Sequence, residues 1–496
     1  MVPEIEKKAV GRGAAYIYIE TIASIISGYV FWIIMSKITT TETIGISSTV
    51  VSFAAIVAVI ANIGIPTGIQ RFIGKSFSEN RLDDVKAFVI TSLILVSMGI
   101  VTCSVLILII QSLLPGTFGF DYGLVIISIL LIGAAVISML FRSLVISTFN
   151  TKPLPLIIIT SSIFKLLLSV ILVLMGTGAI GLTLGLTFNH VLSSILLGIV
   201  VGTKVLKSTR INYLSINFIQ KSKKLLVSSV VFWFPFLITT IGSQLGTIVV
   251  FGSQGSNQAG VYFLALTIVI GLTNVMNSLF TIALPALSGL KDYRKRFAWQ
   301  TIRLSAIILL PFSCSLLFYS EDIMKLLGQD YVQGASSLEV LLLSMLPMAI
   351  LSGINALVYS YGNYRQVLLI GLAMSIPRTG LYFVLVPIYG GLGAAIAYTL
   401  GTIVGCIISI VIAKKIRMLL FWKDLTLIFI IPTTIAFTLN YLQFNFILVI
   451  FVTIVLSYVI LLKIRIVTRI DVRDSLDILP QRFSSQIIKL INKFKN

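Results

Sequence analysis

Charge is what this 496-residue chain has least of: Asp, Glu, Lys and Arg make up 11% of it, against about 25% in a soluble domain. With 57% hydrophobic residues and a mean hydropathy of +1.06, that scarcity excludes a soluble globular fold and points to an all-α polytopic membrane protein. No polar stretch is long enough for a separate soluble domain. Histidine occurs once, at His190, and cysteine three times, at Cys103, Cys314 and Cys406, each alone inside an apolar run. Neither a metal-ligand spacing nor a disulfide framework can be assembled from these, so each cysteine reads as a small buried hydrophobe and no metal or cofactor is expected. A P-loop, an HExxH, a CxxC and an outward-loop DxD are also missing. With short outward loops besides, no enzyme activity is expected.

What charge there is has one sign in excess, a formal +20. In a soluble protein that would suggest nucleic acid, but its distribution argues for topology instead. A spanning helix needs roughly 20 apolar residues, and such windows recur along the chain, giving about fourteen spans: roughly 14–36, 44–70, 87–111, 122–149, 154–175, 179–205, 225–251, 257–288, 297–319, 334–361, 366–387, 391–413, 424–441 and 444–462. Lys and Arg gather in the connections after even-numbered spans, as in Arg71, Lys75, Arg81 and Lys86 after the second. Connections after odd-numbered spans hold only Lys37 and Lys325. The positive-inside rule then assigns both termini to the cytoplasm, in a multi-pass protein of the cell membrane with no nucleic-acid partner. The opening "MVPEIEKKAVGRGAAYIYIE" has a long apolar continuation and no A-x-A-like site, so an uncleaved first span is expected rather than a signal peptide. At the other end, "RFSSQIIKLINKFKN" puts its apolar residues on one helical face, the pattern of a basic amphipathic helix on the inner leaflet.

The chain also repeats itself. "SLVISTFNTKPLPLIIITSSIFKLLLSV" (143–170) aligns without a gap on "ALVYSYGNYRQVLLIGLAMSIPRTGLYF" (356–383), placing Ser147 on Ser360, Asn150 on Asn363 and Lys165 on Arg378. After a one-residue slip, "GAIG" (178–181) falls on "GGLG" (390–393). The reading is two pseudo-symmetric six-helix lobes, 1–210 and 211–415, then two extra spans in 416–465 and the basic tail 466–496. Six spans return the chain to its starting side, so the lobes are parallel repeats, and transporters built this way hold substrate near the midplane between them.

Lys165 and Arg378 thus sit at matching depths in mid-membrane, where a cation costs about 2.5–3.5 kcal/mol on insertion scales. Each carries polar neighbours on its helical face, Ser162 and Ser169 in one half, Ser375 and Tyr382 in the other. Salt bridges within the bundle are the structural alternative. Against them, the spans offer one clear acid, Glu20, to four cations: Lys165, Arg378, Arg142 and Arg303. A cationic cavity lined by Lys165 and Arg378 is therefore expected. Arg142, deep in span 4, either joins it or snorkels; Arg303, nearer the surface, snorkels; Arg71 guards a cytoplasmic mouth or anchors its helix. Glu20 either pairs with an arginine or binds a coupling ion. His190 reads as an interhelical contact before a proton relay, and Asn274, Asn277, Ser278 and Thr281 as helix glue or cavity wall. Pro235 and Pro285 are candidate hinges.

At this point the sequence resembles a known family. The fourteen spans in 12+2 form, "TTETIGISSTVVSFAAIVAVIANIGIPTGIQRFIGKSFSENRLDDVKAF" across spans 2–3, "LPALSGLKDYRKRF" after span 8 and "KLLGQDYVQGASSLEVLLLSMLP" before span 10 look like the polysaccharide-biosynthesis branch of the multidrug/oligosaccharidyl-lipid/polysaccharide exporter superfamily. The resemblance implies a V-shaped pair of lobes around a cationic cavity. Its implied activity is flipping of an isoprenoid-(di)phosphate-linked oligosaccharide from the cytoplasmic to the outer leaflet by alternating access. Lys165, Arg378 and Arg142 are the cavity charges it carries over; the residue reading above adds Arg71, Ser162 and Tyr382 as further substrate contacts and Glu20 for ion coupling. Implied partners are the lipid-linked oligosaccharide, membrane lipids and glycan-assembly enzymes, with the protein itself a monomer. A cation-coupled multidrug exporter of the same superfamily, an uncoupled scramblase and a membrane scaffold remain as alternatives.

Overall fold

The structure, a computed structural model, describes residues 4–79, 81–148, 150–205, 218–289, 293–464 and 466. It is a multi-pass helical membrane protein. The first lobe holds α1 (Glu4–Ile38), α2 (Thr41–Asn62), α3 (Ile65–Ser78), α4 (Leu82–Leu113), α5 (Tyr122–Ser147), α6 (Leu154–Leu174) and α7 (Gly178–Val200). The second holds α8 (Phe218–Gly289), α9 (Arg294–Phe318), α10 (Ser320–Leu327), α11 (Ala335–Leu342), α12 (Met345–Ser360) and α13 (Tyr364–Lys415); α14 (Trp422–Tyr441) and α15 (Phe446–Lys463) follow. The amphipathic tail expected at the C-terminus lies outside the described residues, as do the Arg71, Ser278, Thr281 and Pro285 side chains.

Length alone shows that two of these helices turn back. At 1.5 Å per residue, a straight α8 of 72 residues would run ~108 Å, more than three times a hydrocarbon core of about 30 Å. It breaks at Gly255, where φ is +85°, a backbone region closed to most side chains. A Cβ placed on Gly246 would lie 2.9 Å from the Tyr262 Oη, so residues before and after the break face one another. The 52-residue α13 breaks likewise at Gly390, φ +57°, and Arg378 before the break donates to Thr402 beyond it. Among the described residues, eleven helices are long and apolar enough to cross a membrane, and α11 with its preceding turn makes a twelfth when counted as one span with α12, across a 43° bend. Dividing α8 and α13 at their glycines brings the total to about fourteen, as expected from the sequence.

Span 2 departs from the expectation of one continuous helix. It is α2 and α3 in succession, because Ile63 and Gly64 take left-handed backbone angles and the Asn62 side chain accepts the Gly64 N–H at 2.7 Å. Pro66 then sits in the first turn of α3, where its missing N–H costs no hydrogen bond.

The lobes meet where α1, α2, α3 and α4 pack on α8. α8 lies on α2 with both arms: in the first, the Trp233 indole donates to the Val59 carbonyl at 2.7 Å, and just past the break Ser256 meets Gly45 so closely that a Cβ there would overlap its carbonyl oxygen. The second arm of α8 meets α1, with the Tyr29 hydroxyl donating to the Ile268 carbonyl at 2.5 Å. Beside it, the Trp32 and Phe263 rings stand edge-on, centroids 5.0 Å apart. The two C-terminal helices dock on α9: Tyr319 donates to the Phe444 carbonyl at 2.8 Å. Arg303, expected to snorkel, instead reaches Asp424 at the start of α14, 4.0 Å away.

Candidate functional site

A cavity of about 800 Å³ opens between α1, α3, α5, α6, α7 and the second arm of α8. Its walls mix aliphatic side chains such as Ile17, Met139 and Leu197 with neutral polar groups: Gln70, Asn189 and Ser193 from the first lobe, Asn274 and Asn277 from the second. Gln70 is oriented by donating to the Ser143 hydroxyl at 3.2 Å. His190 lines the same wall, its Nδ1 3.4 Å from the Ser138 hydroxyl.

One ion pair stands in this wall. Arg142 of α5 grips Glu20 of α1 with two parallel bonds, Nε to Oε1 at 2.6 Å and Nη2 to Oε2 at 2.8 Å. Of the choices open from sequence for Glu20, pairing with an arginine is the one present. The fork geometry fixes both side chains, yet the guanidinium side chain stays 42% exposed while the carboxylate side is 10% exposed. The pair therefore presents its basic face to the cavity. Among the described lining residues the titratable groups that differ in sign are this one acid and one base, with His190 beside them. The cavity wall is mostly aliphatic, set with polar groups and nearly balanced in charge, where a cationic one was expected.

The reason is the placement of the other two cations. Lys165, on the next part of α6 beyond the lining residue Ile158, is 7% exposed and holds its ammonium 4.5 Å above the Phe31 ring centroid. Arg378 is 1% exposed inside the second lobe, its guanidinium 3.8 Å over Tyr398. They do not converge on a shared chamber; each is accommodated by an aromatic face within the bundle, an arrangement favourable to a desolvated cation. Ser162 and Tyr382 are buried too, Tyr382 donating to the Gly242 carbonyl at 3.0 Å, and neither lines the cavity. The expected site thus divides: Glu20 and Arg142 line the cavity, while Lys165, Arg378, Ser162 and Tyr382 do not.

Gln70, Asn189 and Ser193 were not singled out from sequence. A usable signal existed for two of them: Asn189 and Ser193 stand i and i+4 on α7 next to the only histidine, a polar stripe on one helical face. Gln70 carries no such signal.

Fold and cavity together define a class, a two-lobed, multi-pass helical membrane protein with a cavity where its lobes meet. Residues 10–291, more than half of the chain, match the model of the polysaccharide biosynthesis protein family, and the chain belongs to that family. No curated protein matches it in sequence. Among solved structures, the lipid II flippase MurJ in an inward closed conformation has a TM-score of 0.67 at 15% identity, covering 92% of this chain and 99% of that one. An inward-facing multidrug-resistance MATE transporter of the MOP superfamily has a TM-score of 0.63 at 16% identity, covering 80% and 94%. A MOP superfamily transporter from Pyrococcus furiosus, described as having a binding pocket of reversed polarity, has a TM-score of 0.58 at 15% identity, covering 85% and 96%. At these identities the similarity establishes a shared fold.

Proposed function

We propose that the protein is a flippase that carries an isoprenoid-(di)phosphate-linked oligosaccharide from the cytoplasmic to the outer leaflet of the cell membrane by alternating access. The observation that carries this reading is the Glu20–Arg142 pair, a guanidinium held rigidly by its carboxylate and turned toward a chamber whose aliphatic walls carry amides and hydroxyls. The exposed edge of Arg142 receives the cargo phosphate through charge-assisted hydrogen bonds, strengthened by the low local dielectric. Side chains such as Gln70, Asn189, Asn274 and Asn277 suit sugar hydroxyls, and the isoprenoid stays in the surrounding lipid. Lys165, farther along α6, is the next cation that the phosphate meets as the lobes rock. Glu20 is released when the phosphate competes for Arg142, and so becomes free to take a coupling cation or proton.

Both termini are cytoplasmic in this reading, with lobe boundaries near 210 and 415 and Arg71 at the inner mouth, and the protein works as a monomer among glycan-assembly enzymes. A multidrug exporter for organic cations is disfavoured by the lining: its one carboxylate is already engaged by Arg142.

The test is flipping of a fluorescent isoprenoid-diphosphate oligosaccharide in proteoliposomes. Arg142→Ala, present at wild-type level, is expected to lower the rate by at least about tenfold, the loss of one charge-assisted contact, and Arg142→Lys by less. Flipping by Arg142→Ala at the wild-type rate refutes the phosphate assignment. Collapse of the sodium and proton gradients is expected to abolish net accumulation; if accumulation is unchanged, the coupled mechanism gives way to a scramblase.

A further inference from the structure

His190 is the only histidine in the chain, and the mechanism above leaves it without a use. It stands on α7 at the cavity wall, its Nδ1 3.4 Å from the Ser138 hydroxyl of α5. The backbone beneath it is pinned at the same level. One turn on, the Ser194 hydroxyl shares its hydrogen between the His190 carbonyl at 2.8 Å and the Ala134 carbonyl of α5 at 3.0 Å. Ring and backbone are both tied to one neighbouring helix.

These contacts decide which ring nitrogen carries the hydrogen. A hydroxyl has a single hydrogen to donate, and Ser138 places its own on the Ala135 carbonyl at 2.8 Å, closer than the imidazole at 3.4 Å. Toward His190, Ser138 can therefore only accept. Two lone pairs facing one another would repel, so the ring hydrogen belongs on Nδ1. A neutral imidazole carries one such hydrogen, which leaves Nε2 bare. Nε2 has no partner among the described residues, and unlike the neighbouring Asn189 Oδ1 it is not sealed from solvent.

Arg142 follows Ser138 by four residues on α5, and both line the cavity, about 6 Å apart along the helix. A guanidinium donates and does not accept; a bare Nε2 accepts and does not donate. One turn apart, the wall thus offers a place for an anion's oxygens and a place for a hydrogen. We infer that His190, held in its Nδ1–H form by Ser138, accepts a hydroxyl of the sugar that adjoins the cargo phosphate. The identity of the ligand rests on the flippase reading; the inference adds the residue that reads the first sugar. The phosphate itself is kept from this spot, because its oxygen lone pairs would face the lone pair of Nε2. Amides such as Gln70 and Asn277 both donate and accept, so they discriminate less. A bare acceptor rejects an analogue without the hydroxyl, since that analogue displaces water and leaves Nε2 unpaired.

A lone histidine makes the test direct. Full-length protein labelled with nitrogen-15 histidine, purified through a histidine-free tag and placed in nanodiscs, reports its ring nitrogens by NMR without overlap. Without ligand, near neutral pH, Nδ1 is expected to be protonated and Nε2 bare. The opposite tautomer, an even mixture or an imidazolium would overturn the inference whatever the cargo. Ser138→Ala should mix the two tautomers; an unchanged spectrum would mean that Ser138 does not set the ring. Farnesyl diphosphate bearing one glucose should then shift Nε2 toward the position of a hydrogen-bonded acceptor, and farnesyl diphosphate alone should not. Equal shifts with both compounds, or none with a glucosyl compound that stabilises the protein against heat, would overturn the sugar assignment. If neither compound binds, the flippase reading fails and takes the sugar assignment with it, while the tautomer stands on the ligand-free spectrum. In the flipping assay, His190→Phe is expected to slow glycosylated cargo about fivefold, as for loss of one hydrogen bond. His190→Gln, which keeps an acceptor at similar reach, should slow it less, and a wild-type rate in His190→Phe would refute the contact.

Discussion

Arg142 and Glu20 share two hydrogen bonds but not one environment: the arginine side chain is 42% exposed and the glutamate side 10%. Truncating either therefore has unequal consequences. Glu20→Ala leaves a guanidinium that water can reach, whereas Arg142→Ala strands a nearly buried carboxylate, and an unpaired buried charge is the costlier remnant. We expect Arg142→Ala to lose about 1–3 kcal/mol of stability and Glu20→Ala less. The double variant should be more stable than Arg142→Ala alone. Unfolding midpoints in detergent for the three proteins check this ordering; a double variant less stable than either single one would mean that the residues do not act as a pair. Lys165 poses the related question of a cation over a ring. Phe31→Leu removes the π face that its ammonium occupies while preserving an apolar side chain, and should cost about 0.5–2 kcal/mol. The same substitution made with Lys165→Met should add little further loss, and full additivity of the two would refute the contact.

Individual helices show how the lobes are brought together. α2 approaches α8 at backbone distance because Gly45 meets Ser256, and Gly260 returns the contact against the Thr41 carbonyl. Small residues permit such close crossings in membranes, where packing takes the place of the hydrophobic effect. Gly45→Val should wedge the lobes apart at this end, and the cavity would then open here instead of where Gly13, Ile146 and Leu154 line it. Thiol labelling of a cysteine introduced at Ser193, in a background without the three native cysteines, should fall several-fold from the inner face in Gly45→Val. Unchanged labelling would show that the crossing tolerates the wedge. The lengths of these elements were readable from hydropathy, and the breaks at Gly255 and Gly390 from the need to cross the bilayer again. The break at Ile63 was not, because a β-branched residue in a left-handed conformation is set by its surroundings: the Asn62 cap on Gly64 and the close packing of Gly64 on Trp233.

Across the whole molecule, the alternating access we propose requires the contact of α1 with the second arm of α8 to open. The edge-on pair Trp32 and Phe263 marks that contact. A short bifunctional thiol reagent linking cysteines at positions 32 and 263 should arrest flipping, and a cleavable version should restore it on reduction. Transport that continues through the link would exclude rocking about the opposite end of the lobes.

The sequence by itself determined the material and the count: few charges, long apolar windows and alternating basic connections leave a helical bundle in lipid as the stable outcome. Its internal repeat also paired Lys165 with Arg378. Only the tertiary structure decided which polar groups share a space, since helical spacing gives the face on which a residue lies and the packing of neighbouring helices decides what that face meets. Lys165 and Arg378 are turned onto Phe31 and Tyr398, while Glu20 and Arg142, remote in sequence, close the pair that faces the cavity. A desolvated cation settles on the partner within reach, and that reach is a property of the assembled helices.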